Sequence, residues 1–106
     1  MLTEQSPLLA RSLYWQDDEG ADRIPINVSL WFGEPRPRGD VQCFVRIDKL
    51  CERPRHCYGM DAMQALQEAM KLADTMLTSI RPPVRITVRS GSIYQAMGWA
   101  PLFKTP

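Results

Sequence analysis

The long helix that decides this fold begins within Tyr58-Gly59-Met60-Asp61-Ala62-Met63-Gln64-Ala65-Leu66. Asp61 is a favourable N-cap, and Gln64 three residues later completes a capping box, in which each side chain satisfies an otherwise unpaired backbone donor. Gly59 is expected to give the backbone the freedom that the turn before the cap needs. The apolar residues of the stretch are expected to pack; they are Ala62, Met63, Ala65 and Leu66.

The apolar residues of this helix recur with helical spacing and cover about half of its circumference. They are Ala62, Met63, Ala65, Leu66, Ala69, Met70, Leu72, Ala73, Met76, Leu77 and Ile80. The polar residues between Gln64 and Ser79 fall in the other half. Pro82 and Pro83 cannot continue the helix, so we expect it to end near Ile80 or Arg81.

Two strands are predicted before the first long loop. Residues 8–16 are rich in Leu, Tyr and Trp, and residues 17–20 form an acidic turn that ends in glycine. Residues 24–32 then alternate between the two faces of a half-buried strand. Their apolar face consists of Ile24, Ile26, Val28, Leu30 and Phe32. The two strands therefore read as a hairpin.

The chain after this hairpin predicts a loop, a third strand and two shorter ones. Residues 33–40 contain two prolines and two glycines and must form a loop. Residues 41–50 alternate again, with Cys43 as a small core residue. Pro54 limits residues 55–58 to a short edge strand. Residues 84–89 alternate apolar residues with Arg85, Thr87 and Arg89 and predict a last strand with a basic face.

These elements predict the α+β class, with an antiparallel sheet of four to five strands packed on one long amphipathic helix. The order is three strands, a short fourth strand, the helix and a last strand. Residues 1–106 are expected to form a single domain, with a loose leader at residues 1–7 and an apolar tail at residues 90–106. The tail is expected to pack back on the sheet or helix, or to bind a partner.

Composition restricts the function classes. The chain has 106 residues and a formal net charge of +1, which argues against wholesale polyanion binding. The first 22 residues hold one base against five acids, whereas residues 81–106 hold four bases and no acid. The sequence contains no membrane-length apolar run, and its start lacks the pattern of a signal peptide, so we expect a cytoplasmic protein without membrane contact.

The side chains that could support catalysis are poorly arranged. Cys43, Cys51 and Cys57 are an odd number of thiols without CxxC spacing, which favours reduced cysteines. His56 and Cys57 are neighbours that would face opposite sides of an extended segment, so they suit neither a metal site nor a nucleophile and base pair. The sequence has no phosphate-binding glycine motif. We therefore expect no enzymatic activity, no metal and no cofactor.

Two surfaces remain as binding candidates. A protein partner would contact Trp31, Arg36, Arg38 and Trp99, on the loop 33–40, an exposed sheet face and the tail. The alternative is RNA or DNA binding, with phosphates held by Arg46, Arg81, Arg85 and Arg89. Arginines that alternate with apolar residues are also typical of the solvated face of any antiparallel sheet.

The stretch from Gly33 to Ile80 resembles an uncharacterised family of small bacterial proteins, a domain of unknown function. The resemblance is carried by Gly33-Glu34-Pro35-Arg36-Pro37, by Gly39-Asp40-Val41-Gln42-Cys43 with Arg46-Ile47, and by Tyr58 through Leu66. It implies a bacterial cytoplasmic protein and transfers no activity. The start of the helix, with Gly59-Met60-Asp61 and the segment from Ala65 to Ala69, is also similar to HicB-type antitoxins. Both resemblances imply a module that binds rather than one that catalyses.

The sequence thus predicts a non-catalytic bacterial protein-binding module. An immunity or antitoxin-type protein, which occludes a partner such as a toxin, is the expected form. A nucleic-acid-binding module is the alternative, and a homodimer is left open.

Overall fold

Within residues 7–18 and 20–95, which are those that the computed structural model describes, five strands form one antiparallel sheet and one helix packs against it. The elements in chain order are β1 Leu9–Gln16, β2 Ile24–Phe32, β3 Val41–Ile47, β4 Arg55–Gly59, α1 Ala62–Thr78 and β5 Arg85–Thr87. The strands lie in the order β4-β3-β2-β1-β5. The predicted α+β class and order of elements are confirmed, and the short fourth strand is an edge strand.

Strand alternation determines which residues enter the core. The registers of β1 with β2 and of β2 with β3 place apolar residues opposite one another on the face that α1 covers. The pairs are Leu13 with Ile26, Val28 with Ile47, and Leu30 with Val45, and all six side chains are fully or almost fully buried. Burial of these branched side chains is the main source of stability in a domain of this size. We call the opposite face of the sheet the open face.

The predicted cap of α1 is present, with one difference. The backbone N–H of Gln64 donates to Asp61 Oδ1 at 2.8 Å. The Gln64 side-chain oxygen accepts from the backbone N–H of Met60 at 2.6 Å, instead of from that of Asp61. The helix ends at Thr78, with Ser79 as its C-cap, which is slightly earlier than predicted.

Small residues hold α1 close to the sheet. Ala65, Ala69 and Ala73 are fully buried along one stripe of the helix, and Leu77 continues the stripe. An alanine stripe lets the helix backbone approach the strands closely, so there is no space there for a larger side chain.

Two predictions about the start of the helix were wrong. Gly59 does not adopt a left-handed conformation; it is needed because a Cβ there would lie 2.7 Å from the Cα of Ala65. Ala62 and Met63 are exposed instead of packed, and Met63 keeps 71% of its surface. The reason is that Ala65 is the first residue of α1 to lie directly on the backbone of β4.

The chain folds back after β5. Ile93 forms a bridge with Thr87, and the backbone N–H of Tyr94 donates to Ile86 at 2.9 Å. Tyr94 is buried, its hydroxyl donates to Asp74 Oδ1 on α1, and the Arg11 guanidinium lies 5.3 Å from its ring centroid. This part of the predicted tail therefore packs on its own domain.

Some predictions fall on residues that the structure does not describe. These are residues 1–6, Glu19 and residues 96–106. The predicted leader, apart from Pro7, and the predicted contact Trp99 therefore lie outside the described residues. Across the described part of the chain, no helix has the length and apolar character needed to cross a membrane.

Candidate functional site

Four ring-bearing side chains form a row on the open face, which we call the aromatic row: Trp31, Phe44, His56 and Tyr58. Trp31 stacks on Phe44 with their ring centroids 5.5 Å apart, and Phe44 meets the edge of His56 at 5.9 Å. His56 meets Tyr58 at 5.2 Å. The row exists because the strand register places Trp31 opposite Phe44, and Phe44 opposite His56.

Exposure along the aromatic row increases toward the edge of the sheet. Trp31 keeps only 8% of its surface, whereas Tyr58 keeps 45% and His56 is also exposed. A partner that approaches the open face would therefore meet Tyr58 and His56 before Trp31. The sequence prediction included Trp31 and missed Tyr58, although the alternation of a short edge strand was a signal for an exposed tyrosine.

The loop 33–40 holds Arg36 against this exposed end. The Arg36 guanidinium carbon lies 4.7 Å from the Tyr58 ring centroid, a distance typical of a cation–π contact. The same guanidinium forms an ion pair with Asp40, with Nε 3.1 Å from Oδ2. The backbone N–H of Gly39 donates to the Arg36 carbonyl at 3.0 Å, and Gly39 has a φ of 84°. A tight turn therefore brings Arg36 and Asp40 together.

The rest of the loop is open to solvent. Arg38 is exposed at its tip, between Pro37 and Gly39. A hollow of about 240 Å³ is lined by other residues of the loop together with Phe32 and Val41. The structure therefore brings Arg36 together with Tyr58 and leaves Arg38 beside them.

The four arginines of the nucleic-acid prediction do not form a continuous stripe. Arg46 lies opposite Ser29 near the middle of the sheet, and Arg85 lies opposite Gln16 at the far edge. The two arginines are three strand spacings apart across the sheet and six residues apart along the direction of the strands. This separation is roughly 25 Å. Arg81 donates to the Thr78 carbonyl at 3.0 Å at the end of α1, and Arg89 is exposed just after β5.

The cysteines lie away from the aromatic row. Cys43 and Cys57 are cross-strand neighbours on the face that α1 covers, whereas His56 is on the open face. All three cysteines are free thiols, and no group of three metal-binding side chains is found among the residues that the structure describes. Burial raises the pKa of Cys57, Glu68 raises it further, and Arg55 opposes the shift.

The Cys43 thiol should make the fold less stable at alkaline pH. Burial, with a smaller contribution from Cys57, raises the pKa of Cys43 from 9.0 to about 12. The unfolded chain therefore loses this proton first, so stability is retained below pH 9 and is lost as the pH rises toward 12. The expected loss from this group between pH 7 and pH 10 is about 1.4 kcal/mol.

Urea unfolding at these two pH values measures this loss. The matched control is Cys43→Val, which removes the thiol and keeps an apolar side chain. The loss between the two pH values should be smaller in this variant by about 1.4 kcal/mol. Equal pH dependence of the two proteins would show that Cys43 does not contribute.

A second hollow lies between the end of α1 and β5. It has a volume of about 610 Å³ and is lined mainly by apolar residues, including Leu77, Ile80 and Ile93, with Arg85 and Asp18 beside them. We find no nucleophile with an adjacent base among its described lining residues.

The comparisons with known proteins concern family membership alone. Residues 9–90 match the model of a protein family described as a domain of unknown function, DUF6968. This region is wider than the predicted resemblance of residues 33–80. No curated protein matches the chain, and no solved structure matches it.

Proposed function

Since the chain belongs to the DUF6968 family, a domain of unknown function, we propose from its geometry that it is a non-catalytic module that binds another protein. The binding surface is the loop 33–40 together with Tyr58. The observation that carries this proposal is the Arg36 side chain, which is held over the exposed Tyr58 ring and tied to Asp40.

Pre-organisation is the physical reason for choosing this surface. Arginine and tyrosine are enriched among the residues that contribute most to protein interfaces. Ordering a long side chain on binding costs about 0.5–1.5 kcal/mol, and Arg36 is already held by two partners. Pro35 and Pro37 further restrict the loop backbone. Arg38 is an exposed positive charge at the tip of the loop, so the partner is expected to present an acidic group to it.

The finer form of the proposal is an immunity or antitoxin-type role in a bacterial cytoplasm, with a toxin as the partner that the module occludes. Its support is the resemblance of the helix start to HicB-type antitoxins. A toxin gene next to the gene for this chain would strengthen it. A neighbourhood without any such gene would leave only the general binding proposal.

The binding surface is tested by affinity capture from the native host at physiological salt, with wild-type protein and single variants as bait. Arg36→Ala should reduce the amount of recovered partner at least about tenfold, because arginine is one of the residue types that contribute most binding energy at interfaces. Arg36→Lys should reduce it as well, since lysine lacks the planar fork. Arg89→Ala is the matched control, with another exposed arginine outside the loop. Equal recovery with all baits would refute the proposed surface.

The second candidate function is RNA or DNA binding, and one observation favours it. Arg81, Arg85 and Arg89 are all exposed around β5, within nine consecutive residues of the chain. If they hold phosphates, affinity falls steeply with salt, and the double variant Arg85→Ala and Arg89→Ala flattens this dependence by about two units of slope. Gel-shift titrations at low salt measure this, with Arg36→Ala as the control. Absence of any shift would eliminate this candidate.

A further inference from the structure

β4 is an unprotected edge of the sheet. The opposite edge strand, β5, pairs with the returning residues Ile93 and Tyr94, whereas no other strand of the described chain pairs with the outer side of β4. The Gln42 carbonyl accepts from Gly33 on the β2 side. Because backbone groups alternate along a strand, those of the next residue, Cys43, point toward β4, where Cys43 pairs with Cys57. The backbone groups of Cys57 therefore point toward β3, and those of His56 and Tyr58 point away from the sheet.

These outward groups are symmetric about Cys57, the central residue of β4. We propose that two copies of this chain associate through β4, antiparallel, with Cys57 opposite Cys57 on a two-fold axis. This register places His56 of one copy opposite Tyr58 of the other, twice. Each such pair exchanges two backbone hydrogen bonds, so the edge gains about four. The inference goes beyond the proposed function, in which the partner is a different protein.

Charge favours the antiparallel direction. Arg55 is the first residue of β4 and Arg53 precedes it by two positions, whereas Asp61, the N-cap of α1, follows the end of β4 by two positions. The register about Cys57 brings the basic start of each copy to the acidic end of the other, with Arg53 across from Asp61. Arg55 falls across from Gly59, which has no side chain to obstruct it. Parallel pairing would instead bring like charges together, which destabilises neighbouring strands.

The aromatic row also becomes continuous in this arrangement. His56 and Tyr58 are exposed in one copy, and each would lie directly opposite the other residue of the second copy on the open face. Cross-strand pairs of this kind contribute favourably when both members are ring side chains. The dimer therefore covers the exposed rings at the sheet edge.

The helices are compatible with this pairing. α1 packs on β3 and β4 alike. With its axis midway between these two strands, the axes of the two helices in the dimer would be roughly 10 Å apart, near the usual packing distance. Asp74 faces Tyr94, and the opposite flank of α1 faces the edge. Glu68 is on this flank, and Lys71, three residues later on the solvent side of α1, lies 3.3 Å from it within one copy. Antiparallel helices would bring each charge close to the opposite charge of the other copy.

The oligomeric state of the full chain under reducing conditions tests this proposal. Light scattering during size-exclusion chromatography should show a dimer that dissociates on dilution. Arg53→Glu should raise the dimer dissociation constant about tenfold, because the two-fold axis repeats the change twice. His56→Pro removes an outward N–H and should give a monomer whose circular dichroism is unchanged. If His56→Pro does not fold, the dimer dissociation constant of Arg53→Glu is the measurement that tests the proposal. A monomer at every concentration, or a dimer equally stable in Arg53→Glu, would overturn the proposal.

The register is tested separately by crosslinking. Opposed residues of a non-hydrogen-bonded pair lie about 4.5 Å apart at Cα, within the range of a disulfide. Treatment with diamide, which takes up the two protons and two electrons of the thiols, should join two chains through Cys57. Cys57→Ser should abolish the covalent dimer while the non-covalent dimer remains. A covalent dimer that persists in Cys57→Ser would contradict this register.

Discussion

Replacing Gly59 with alanine is expected to lower the free energy of unfolding by about 3 kcal/mol or more. The added Cβ would lie 2.7 Å from the Cα of Ala65 and 2.8 Å from the carbonyl carbon of Gln64. Both atoms belong to the backbone of the first turn of α1, which cannot move without lifting the helix from β4. Urea unfolding followed by circular dichroism measures the change.

Gly33→Ala is the matched control for this prediction. Gly33 also has no left-handed conformation, and its added Cβ would meet atoms of the Gln42 and Phe44 side chains at 2.9 Å. Side chains can rotate away more easily than a helix backbone, so the cost should be smaller by at least about 1 kcal/mol. Equal costs in the two variants would mean that the helix start is not packed on Gly59.

Ala69→Leu is expected to cost about 3 kcal/mol, because it inserts three carbon atoms into the buried contact between helix and sheet. Ala69 is fully buried in the middle of the alanine stripe. Leucine keeps the helix propensity high, so the loss would come from packing and not from the helix itself. Thermal and urea unfolding of the two proteins measure the difference.

Gln67→Leu provides the comparison for Ala69→Leu. Gln67 is on the same helix and is exposed, so its replacement should change the free energy of unfolding by less than about 0.5 kcal/mol. If Ala69→Leu were as mild as Gln67→Leu, the alanine stripe would not determine the distance between α1 and the sheet.

Features that depend on neighbouring residues in the chain were predicted well from the sequence. Alternation located β2 and β3, and the hydrogen bond from Gln64 to Asp61 was expected from their spacing. The role of Gly59 was not, because the atoms that exclude a side chain there belong to another element. Close approach between elements is a property of packing, and sequence spacing alone does not report it.

The candidate site shows the same difference. Alternation put Trp31 on the open face, and the structure agrees, but its burial arises from stacking on Phe44 across the strand pair. The contact between Arg36 and Tyr58 joins a loop to an edge strand 22 positions later and needs the register of β3 with β4. The local sequence was enough to identify Arg36 as a candidate. Its contact with Tyr58 could be identified only from the arrangement of the strands.

The two proposed surfaces share Tyr58 and are otherwise separate, so a partner that binds the dimer would contact mainly the loop. The protein-binding surface is on the loop 33–40, which joins β2 to β3, and the proposed dimer uses the outer side of β4. Antiparallel pairing about Cys57 would place the two loops at opposite ends of the paired edge. Each copy of the dimer would then keep one loop available for a partner.

Site-specific photo-crosslinking in the native host tests the proposed protein-binding function most directly. Glu34, which is exposed on the same loop as Arg36 and Arg38, would be replaced with p-benzoylphenylalanine, and Arg89 would be replaced in the same way as the control position. Irradiation is expected to join position 34 to one protein other than this chain, and position 89 is expected to give no such adduct. Adducts with nucleic acid alone, or the same proteins from both positions, would contradict the proposed function.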